Sequence, residues 1–494
     1  LSKEVSAILG QGTPVKKAAY DTIARPDHGE PHKVPDQLSK RNLKALRDIF
    51  GDDVRVDEEA FEAYGRDWTR QFPLSVGAVV FPRSRDDVVA LVSLANEVGM
   101  ALVPSGGRTG LSGGAVASAG EIVVAFDRMN RIVAFDPADR LVTCEAGVKT
   151  AELQGFAKEK GLYYPVDFAS AGSSTIGGNI ATNAGGIKVI RYGLTRDWVA
   201  GVTVVTGRGE LMELNRGLVK NATGYDLRHL FIGAEGTLGF VVDAQMKLAP
   251  TPGPSNVMVL GVRAFSEILN VLGVFHGNVG LSAFEFFSDK ALAKVVARQD
   301  LLPPFETKAP FYALLELDSE DADVGLELFD RCVSKGWVVD GVMSQSEAQA
   351  ASLWRLREDI SESIAHESPY KHDVSVRVSR MPDLLSDVEA YVGEKYPDLE
   401  VIWFGHIGDG NLHINILKPT DVRPGAFFSR CHEASRGIFE IIRRHEGSIS
   451  AEHGVGLVKR DYLGFSRSEA EVRLMRELKN VLDPNGVMNP GKIF

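Results

Sequence analysis

The sequence predicts a protein of mixed helix and sheet, α+β or α/β in its second part, built from more than one packed unit, and three observations carry that prediction. A compact β-α-β pattern occupies residues 79–103. Glycine-dense segments flanked by strand-like runs follow it. Beyond a proline- and glycine-rich stretch at residues 249–254, strands alternate with longer helices. A chain of 494 residues is too long for one ordinary domain and long enough to bury large cores.

The β-α-β pattern opens with a short β-branched strand, Val79, Val80 and Phe81. Pro82 and Ser84 lead into a helix in which Val88, Val89, Leu91, Val92 and Ala95 recur at helical spacing. Gly99 ends it, and a second strand runs from Ala101 to Val103. The glycine-dense segment from Pro104 to Gly114 is a loop, because each glycine inside a helix or strand costs roughly 1 kcal/mol. Further loops of this kind are expected at Ser170 to Lys188 and Gly233 to Gly239, beside strands at Val202 to Val205 and Phe240 to Val242. After the break at Ala249 to Pro254, Phe311 to Leu317 reads as a strand and Asp321 to Lys335 as a helix. Trp354 to Ser361 also reads as a helix, with Arg357 and Ser361 four apart on one face. Charge pattern alone makes that an exposed face paired with Glu358 and Asp359. Residues 1–30 read as a peripheral extension.

Hydrophobic residues make up 44% and charged residues 24% of the chain, and no apolar run approaches the ~18 residues of a membrane span. The formal net charge of -11 argues against a general nucleic-acid binder, which needs a basic surface. Cys144, Cys332 and Cys431 are widely spaced and form no CxxC pair, so neither a disulfide framework nor a cysteine metal site is expected. A reducing compartment follows. The first residues lack the basic start and apolar core of a signal peptide.

Backbone N–H groups in glycine-rich turns can converge on an anion, and glycine lets the backbone approach a pyrophosphate closely. Several such segments close together in the chain point to a dinucleotide. The common fingerprints are missing: no GxGxxG opens a helix after a strand. The P-loop-like spacing at Gly486 to Lys492 has Ile493 where Ser or Thr belongs and no helix behind it.

Residues 403–415 read as a strand, a turn at Gly408-Asp409-Gly410 and a second strand. On one extended strand His406 and His413 would face opposite ways, but the reversal can bring them to one side. His413 and Asn415 share a face, because strand side chains repeat every two residues. Glu452-His453 adds a carboxylate and a third imidazole in a glycine-flanked loop. Two His and one Glu make a three-ligand divalent site with positions left for water or substrate. Taken alone, such histidines are more often engaged in hydrogen bonds, and both readings stay open on the residues themselves.

Four segments, PSGGRTGLSGG (104–114), SSTIGGNIATNAGG (173–186), KNATGYD (220–226) and FIGAEGTLG (231–239), resemble in order and spacing the FAD-binding segments of the vanillyl-alcohol-oxidase superfamily. GHIGDGNLHIN (405–415) and SAEHGVG (450–456) resemble the C-terminal signature of its D-2-hydroxy-acid dehydrogenase branch. DPNGVMNPGK (483–492) resembles the family's ending. The resemblance covers residues 42–494. It implies an α+β architecture: a two-subdomain FAD-binding domain of the PCMH type (41–252), an α+β substrate cap (253–450), and a C-terminal segment (451–494) returning to the flavin domain. An extension (1–40) precedes them.

The resemblance also implies roles for single residues. Pro104, Ser105, Gly106, Gly107, Arg108, Thr109, Gly110, Ser112 and Gly113 would meet the FAD, with Gly106 to Thr109 at its pyrophosphate. Ser173, Thr175, Gly178, Asn179, Thr182 and Gly185 would lie along it, Glu235, Gly236 and Thr237 would hold its adenosine half, and Asn489 would meet it from the returning segment. The first loop lacks the histidine that tethers the flavin in many relatives, so non-covalent FAD is expected. His406, His413 and Glu452 would bind a divalent metal, zinc first, with manganese and cobalt left open. His453 would take the alcohol proton while the hydride goes to flavin N5, and Asn415 would hydrogen-bond the substrate or the ligand shell.

Arg357, Ser361 and Lys371 match an Arg, a Thr and a Lys that receive the distal carboxylate in the D-2-hydroxyglutarate dehydrogenases of this branch. Ser361 keeps the hydroxyl and loses the methyl, and the spacing to Lys371 is one residue shorter. The expected reaction is oxidation of D-2-hydroxyglutarate to 2-oxoglutarate, with D-malate as a further substrate and D-lactate or glycolate as the runner-up. The expected electron acceptor is another protein or a quinone, and the resemblance implies an electron-transfer flavoprotein. Other classes considered are a flavin lyase and an idle complex subunit. The expected location is the cytoplasm, or the mitochondrial matrix in a eukaryote, and a homodimer is left open.

Overall fold

In the computed structural model, which describes residues 38–494, Ser84 caps the helix of the β-α-β pattern. Its hydroxyl accepts the Asp87 N–H at 3.2 Å, and Gly99 ends the helix Arg85–Val98 in the left-handed region at φ +72°. Val88, Leu91, Val92 and Ala95 are its buried face. The expected extension at residues 1–30 lies outside the described residues. The two strands of the pattern, Val76–Val80 and Leu102–Ser105, are not neighbours, because Glu121–Ala125 inserts between them and pairs parallel with both. Ile122, Val123, Val124 and Ala125 are all buried, and a strand apolar on both faces belongs inside a sheet.

A second, antiparallel sheet takes the order Ile132–Asp136, Leu141–Glu145, Gly239–Lys247, Val199–Thr206, Leu211–Leu214. The second glycine-dense segment departs from the expected loop, since Ile176–Thr182 forms a helix capped by the Thr175 hydroxyl. Ile176 and Ile180 bury it, and Gly177 permits it, because a Cβ there would stand 2.6 Å from that of Ala146.

Past the Pro/Gly stretch begins a seven-stranded antiparallel sheet in the order Val338–Met343, Ser255–Val262, Phe311–Asp318, Leu281–Ser288, Glu400–His406, Asn411–Leu417, Tyr370–Ser375. One face, with Phe284, Phe286, Trp403, Leu412 and Ile414, packs under the helices Phe265–Phe275, Ala322–Ser334, Met381–Lys395 and Pro424–Arg444. The other packs Val259, Phe287, Leu314 and Phe404 against Asp289–Gln299 and Glu347–Glu358. The expected helix through Ser361 is corrected: it stops at Glu358, and after Asp359 a separate short helix, Ile360–Ser363, begins.

The chain end returns to the first sheet. Leu102 N–H donates to Val487 O at 2.8 Å, Asn489 N–H to Leu102 O at 2.8 Å, and Val487 and Met488 join that core. Among the described residues no helix is long and apolar enough to cross a membrane. The three cysteines are free and buried.

Candidate active site

Strand register brings the polar residues together. His406 pairs with Asn411 and Phe404 with His413 across the hairpin, so His406, His413 and Asn415 share one face despite their odd spacing. The neighbouring strand pairs Asp373 with His413 and Lys371 with Asn415, and on the other side Glu285 pairs with His406. Glu452 and His453 arrive on the loop that follows the helix Pro424–Arg444.

The ligand atoms of His406, His413 and Glu452 lie within 4.8 Å of one another, with His406 Nε2 3.4 Å from His413 Nε2 and 3.6 Å from Glu452 Oε1. Asp373, Glu452 and His453 make a second such group. Asp373 is the poorer ligand, because its lone pairs are in use. Oδ2 accepts the N–H groups of Ala451, Glu452 and His453 at 3.2, 2.8 and 3.1 Å, and Oδ1 accepts Asn411 Nδ2 at 2.9 Å. Its carboxylate also stands 3.6 Å from Nδ1 of both His413 and His453.

Burial alone would lower the His406 pKa, but Glu285 and Glu452 outweigh it and push it up to about 9. Burial, with help from Asp373, Asp409 and Glu285, pushes Glu452 up to about 7. The pair therefore holds a proton that a cation can displace. Burial, with the nearby Lys459 and Lys371, keeps His453 below the usual imidazole range in spite of Asp373. Asp373 stays ionised, since His453, Lys459, His413 and the backbone N–H groups overcome its burial.

Arg357 is 6% exposed. It pairs with Glu285 Oε2 at 2.9 Å and stacks over Phe404 at 4.6 Å, and its buried Nε has no hydrogen-bond partner among the described residues. Lys371 keeps an exposed surface, although crowding lowers its pKa by desolvation. Asn415 is 1% exposed, and among the described residues its side chain makes one long hydrogen bond, from Nδ2 to Ile402 O at 3.4 Å. Ser361 is half-buried on the short helix beyond Asp359.

The segments expected to meet the flavin fall into two groups. Gly106, Gly107, Arg108, Thr109, Gly178 and Thr182 are half-buried, and Gly110 and Ser173 are exposed. Among the described residues nothing accepts the backbone N–H of Gly107, Arg108, Thr109 or Gly110, which leaves four donors for an anion such as a phosphate. Gly107 serves packing as well, because a Cβ there would collide with the Ser173 carbonyl of the second segment.

The remaining residues are committed within the protein. Pro104 and Ser105 end a strand, the Ser105 hydroxyl donating to Tyr64 O. Ser112 Oγ donates to His453 O at 2.6 Å, and Gly113 N–H to Asp67. Asn179 donates to Thr150, and the Thr237 hydroxyl to Ala234 O. Glu235 accepts the N–H groups of Val455 and Gly456 at 2.7 and 2.8 Å, so its carboxylate holds the His453 loop. Asn489 Nδ2 ties Gly114 O to Glu235 O, while its buried Oδ1 is without a partner among the described residues. The Lys220 to Asp226 segment is exposed throughout, Tyr225 at 95%.

Sequence reasoning missed Asp373 and Glu285. Each carried a signal: Asp373 sits two residues from Lys371 on one strand face, and Glu285 is a lone acid in the aromatic run Phe284 to Phe287.

This fold and site define a flavoenzyme of the FAD-linked oxidase class: the FAD binding domain family matches residues 76–215, and the FAD linked oxidases, C-terminal domain family matches residues 251–493. The fold is similar to that of p-cresol methylhydroxylase, with a TM-score of 0.71 at 15% identity over 92% of this chain and 96% of that one. The chain is 60% identical over 444 residues to a D-2-hydroxyglutarate dehydrogenase of Stutzerimonas stutzeri, covering 89% of this chain and 96% of the relative. It is 35% identical to a mitochondrial D-2-hydroxyglutarate dehydrogenase of Bos taurus, covering 92% and 84%. The chain belongs to the D-2-hydroxyglutarate dehydrogenase family, and it is an FAD-dependent enzyme.

Proposed function

We propose that the chain oxidises D-2-hydroxyglutarate to 2-oxoglutarate, with D-malate as a further substrate, and passes the electrons to an electron-transfer flavoprotein. The observation that carries this reading is the gathering of His406, His413, Glu452 and His453 with the cations Arg357 and Lys371 around one sheet face. His406, His413 and Glu452 would hold a divalent cation, zinc by ligand type, which when bound supplies Lewis-acid polarisation of the substrate hydroxyl. FAD, held without a covalent bond between the first glycine loop and residues 173–182, supplies the hydride acceptor when bound. The free N–H groups of Gly107 to Gly110 and the unpartnered Asn489 Oδ1 support that fit.

The chain's own residues do the rest. His453, neutral near pH 7, takes the hydroxyl proton, and the Ser112 bond to its carbonyl oxygen fixes its backbone against the flavin-side loop. Arg357 offers its buried, unsatisfied Nε to the distal carboxylate, Lys371 adds a point charge, and Ser361 adds a hydroxyl. Asn415 orients the substrate from beside His413. The free, buried cysteines suit a reducing compartment, cytoplasmic in a bacterium.

The substrate-length part of this reading is tested by Arg357→Ala. KM for D-2-hydroxyglutarate should rise at least about tenfold, the effect of losing a charged hydrogen bond to the substrate, with kcat changed far less. An unchanged KM would return the choice to D-lactate or glycolate.

A further inference from the structure

We propose that Glu285 is a positioning residue that serves both ends of the substrate at once, setting His406 for a divalent cation and Arg357 for the distal carboxylate. The inference deepens the reading above and rests on it. Glu285 lies in the strand Leu281–Ser288 among Phe284, Phe286 and Phe287, and is 1% exposed. Burying a carboxylate in such surroundings is costly unless polar partners face it. Its two oxygens face different partners: Oε1 stands 2.7 Å from His406 Nδ1 within hydrogen-bond geometry, and Oε2 stands 2.9 Å from Arg357 Nη2 as an ion pair without hydrogen-bond alignment.

Each contact decides an orientation. A carboxylate at Nδ1 makes that nitrogen the N–H donor and leaves the Nε2 lone pair for a metal, and His406 Nε2 is the atom that faces His413 and Glu452. On the other side, Glu285 takes one edge of the guanidinium while Phe404 supports its face, so that the buried Nε remains for a ligand. Glu285 and His406 are opposite each other on neighbouring strands, which fixes the first contact through the backbone. Arg357 comes from the helix Glu347–Glu358, so this one side chain also sets the distance between a sheet ligand and a helix-borne clamp.

The test uses Glu285→Gln in the FAD-loaded enzyme, stripped of metal and freed of chelator. Equilibrium dialysis against Zn2+ should show affinity lowered by about 10–100-fold, the usual loss when a metal-bound histidine loses its carboxylate partner. With zinc saturating, KM for D-2-hydroxyglutarate should rise at least about tenfold, and adding Glu285→Gln to Arg357→Ala should raise it no further than Arg357→Ala alone. Unchanged zinc affinity overturns the proposal at His406, and additive KM effects overturn it at Arg357. If wild-type protein takes up no zinc, the metal reading of the site fails, a result distinct from failure of the Glu285 assignment. Should Glu285→Gln not retain FAD, Glu285→Asp carries the same measurements, being too short to span both partners, with both losses expected.

Discussion

A histidine that removes a proton from an alcohol must be neutral when the substrate arrives, and burial among Lys459 and Lys371 keeps His453 in that state. Replacing it by alanine should leave FAD bound and slow anaerobic flavin reduction by at least about 100-fold, the contribution of a general base. Reduction at the wild-type rate would remove His453 from that role. The sign of its pKa shift gives a second prediction. With the pKa below the ordinary imidazole value of about 6.5, the rate of flavin reduction should hold as pH falls to that value and decline only below it. A decline centred above it, followed by stopped-flow across the pH range, would contradict the assignment. That His406, His413 and Glu452 come together was legible in the Gly408-Asp409-Gly410 reversal and the glycine-flanked loop, while their roles and that of His453 came only from the resemblance. Asp373 and Glu285 were not singled out, because their partners arrive from strands and loops 38 to 121 residues away.

Residues 451–456 show how an element is held in place for chemistry. The loop hangs between two buried carboxylates, Asp373 of the seven-stranded sheet and Glu235 just before the strand Gly239–Lys247, which between them accept five of its backbone N–H groups. Asp373→Ala frees the N–H groups of Glu452 and His453, leaves that of Ala451 only its bond to the backbone oxygen of residue 373, and leaves the imidazoles of His413 and His453 without their shared carboxylate. The cost should be about 3 kcal/mol or more, read as an earlier urea midpoint, together with weaker zinc retention. A midpoint and zinc content equal to wild type would mean that the loop is held by other contacts. Elements were readable where local chemistry decides them. Ser84 and Gly99 bracket their helix, and the Gly408-Asp409-Gly410 turn joins its two strands. The helix through Ser361 was misjudged because its interruption at Asp359 leaves no mark in the spacing of Arg357 and Ser361, and Ile176–Thr182 because Thr175 capping and isoleucine burial outweigh two glycines.

At the scale of the whole molecule, the flavin side and the sheet must keep a fixed separation for a hydride to pass between cofactor and substrate. Lys188, just past the second glycine segment, reaches Glu316 of the sheet at 3.1 Å, where Ser282 and Trp354 also donate, and Arg191 reaches Asp318 at 2.6 Å. Lys188→Ala strands a buried carboxylate and should cost about 3 kcal/mol, lowered from the full value because Ser282 and Trp354 remain. An unchanged urea midpoint would show that the two parts are fastened elsewhere. That the chain end returns to the first sheet was readable only through the resemblance of residues 483–492 to the family's ending, because no local pattern announces the bridge between Leu102 and Met488. The central claim, a metal-assisted transfer from D-2-hydroxyglutarate to FAD, is tested most directly by anaerobic loss of the flavin's visible absorbance. D-2-hydroxyglutarate should bleach the enzyme rapidly, chelation should abolish the bleaching, and added zinc should restore it. Bleaching that survives complete removal of metal, or an oxidised flavin that D-2-hydroxyglutarate leaves untouched, would contradict it.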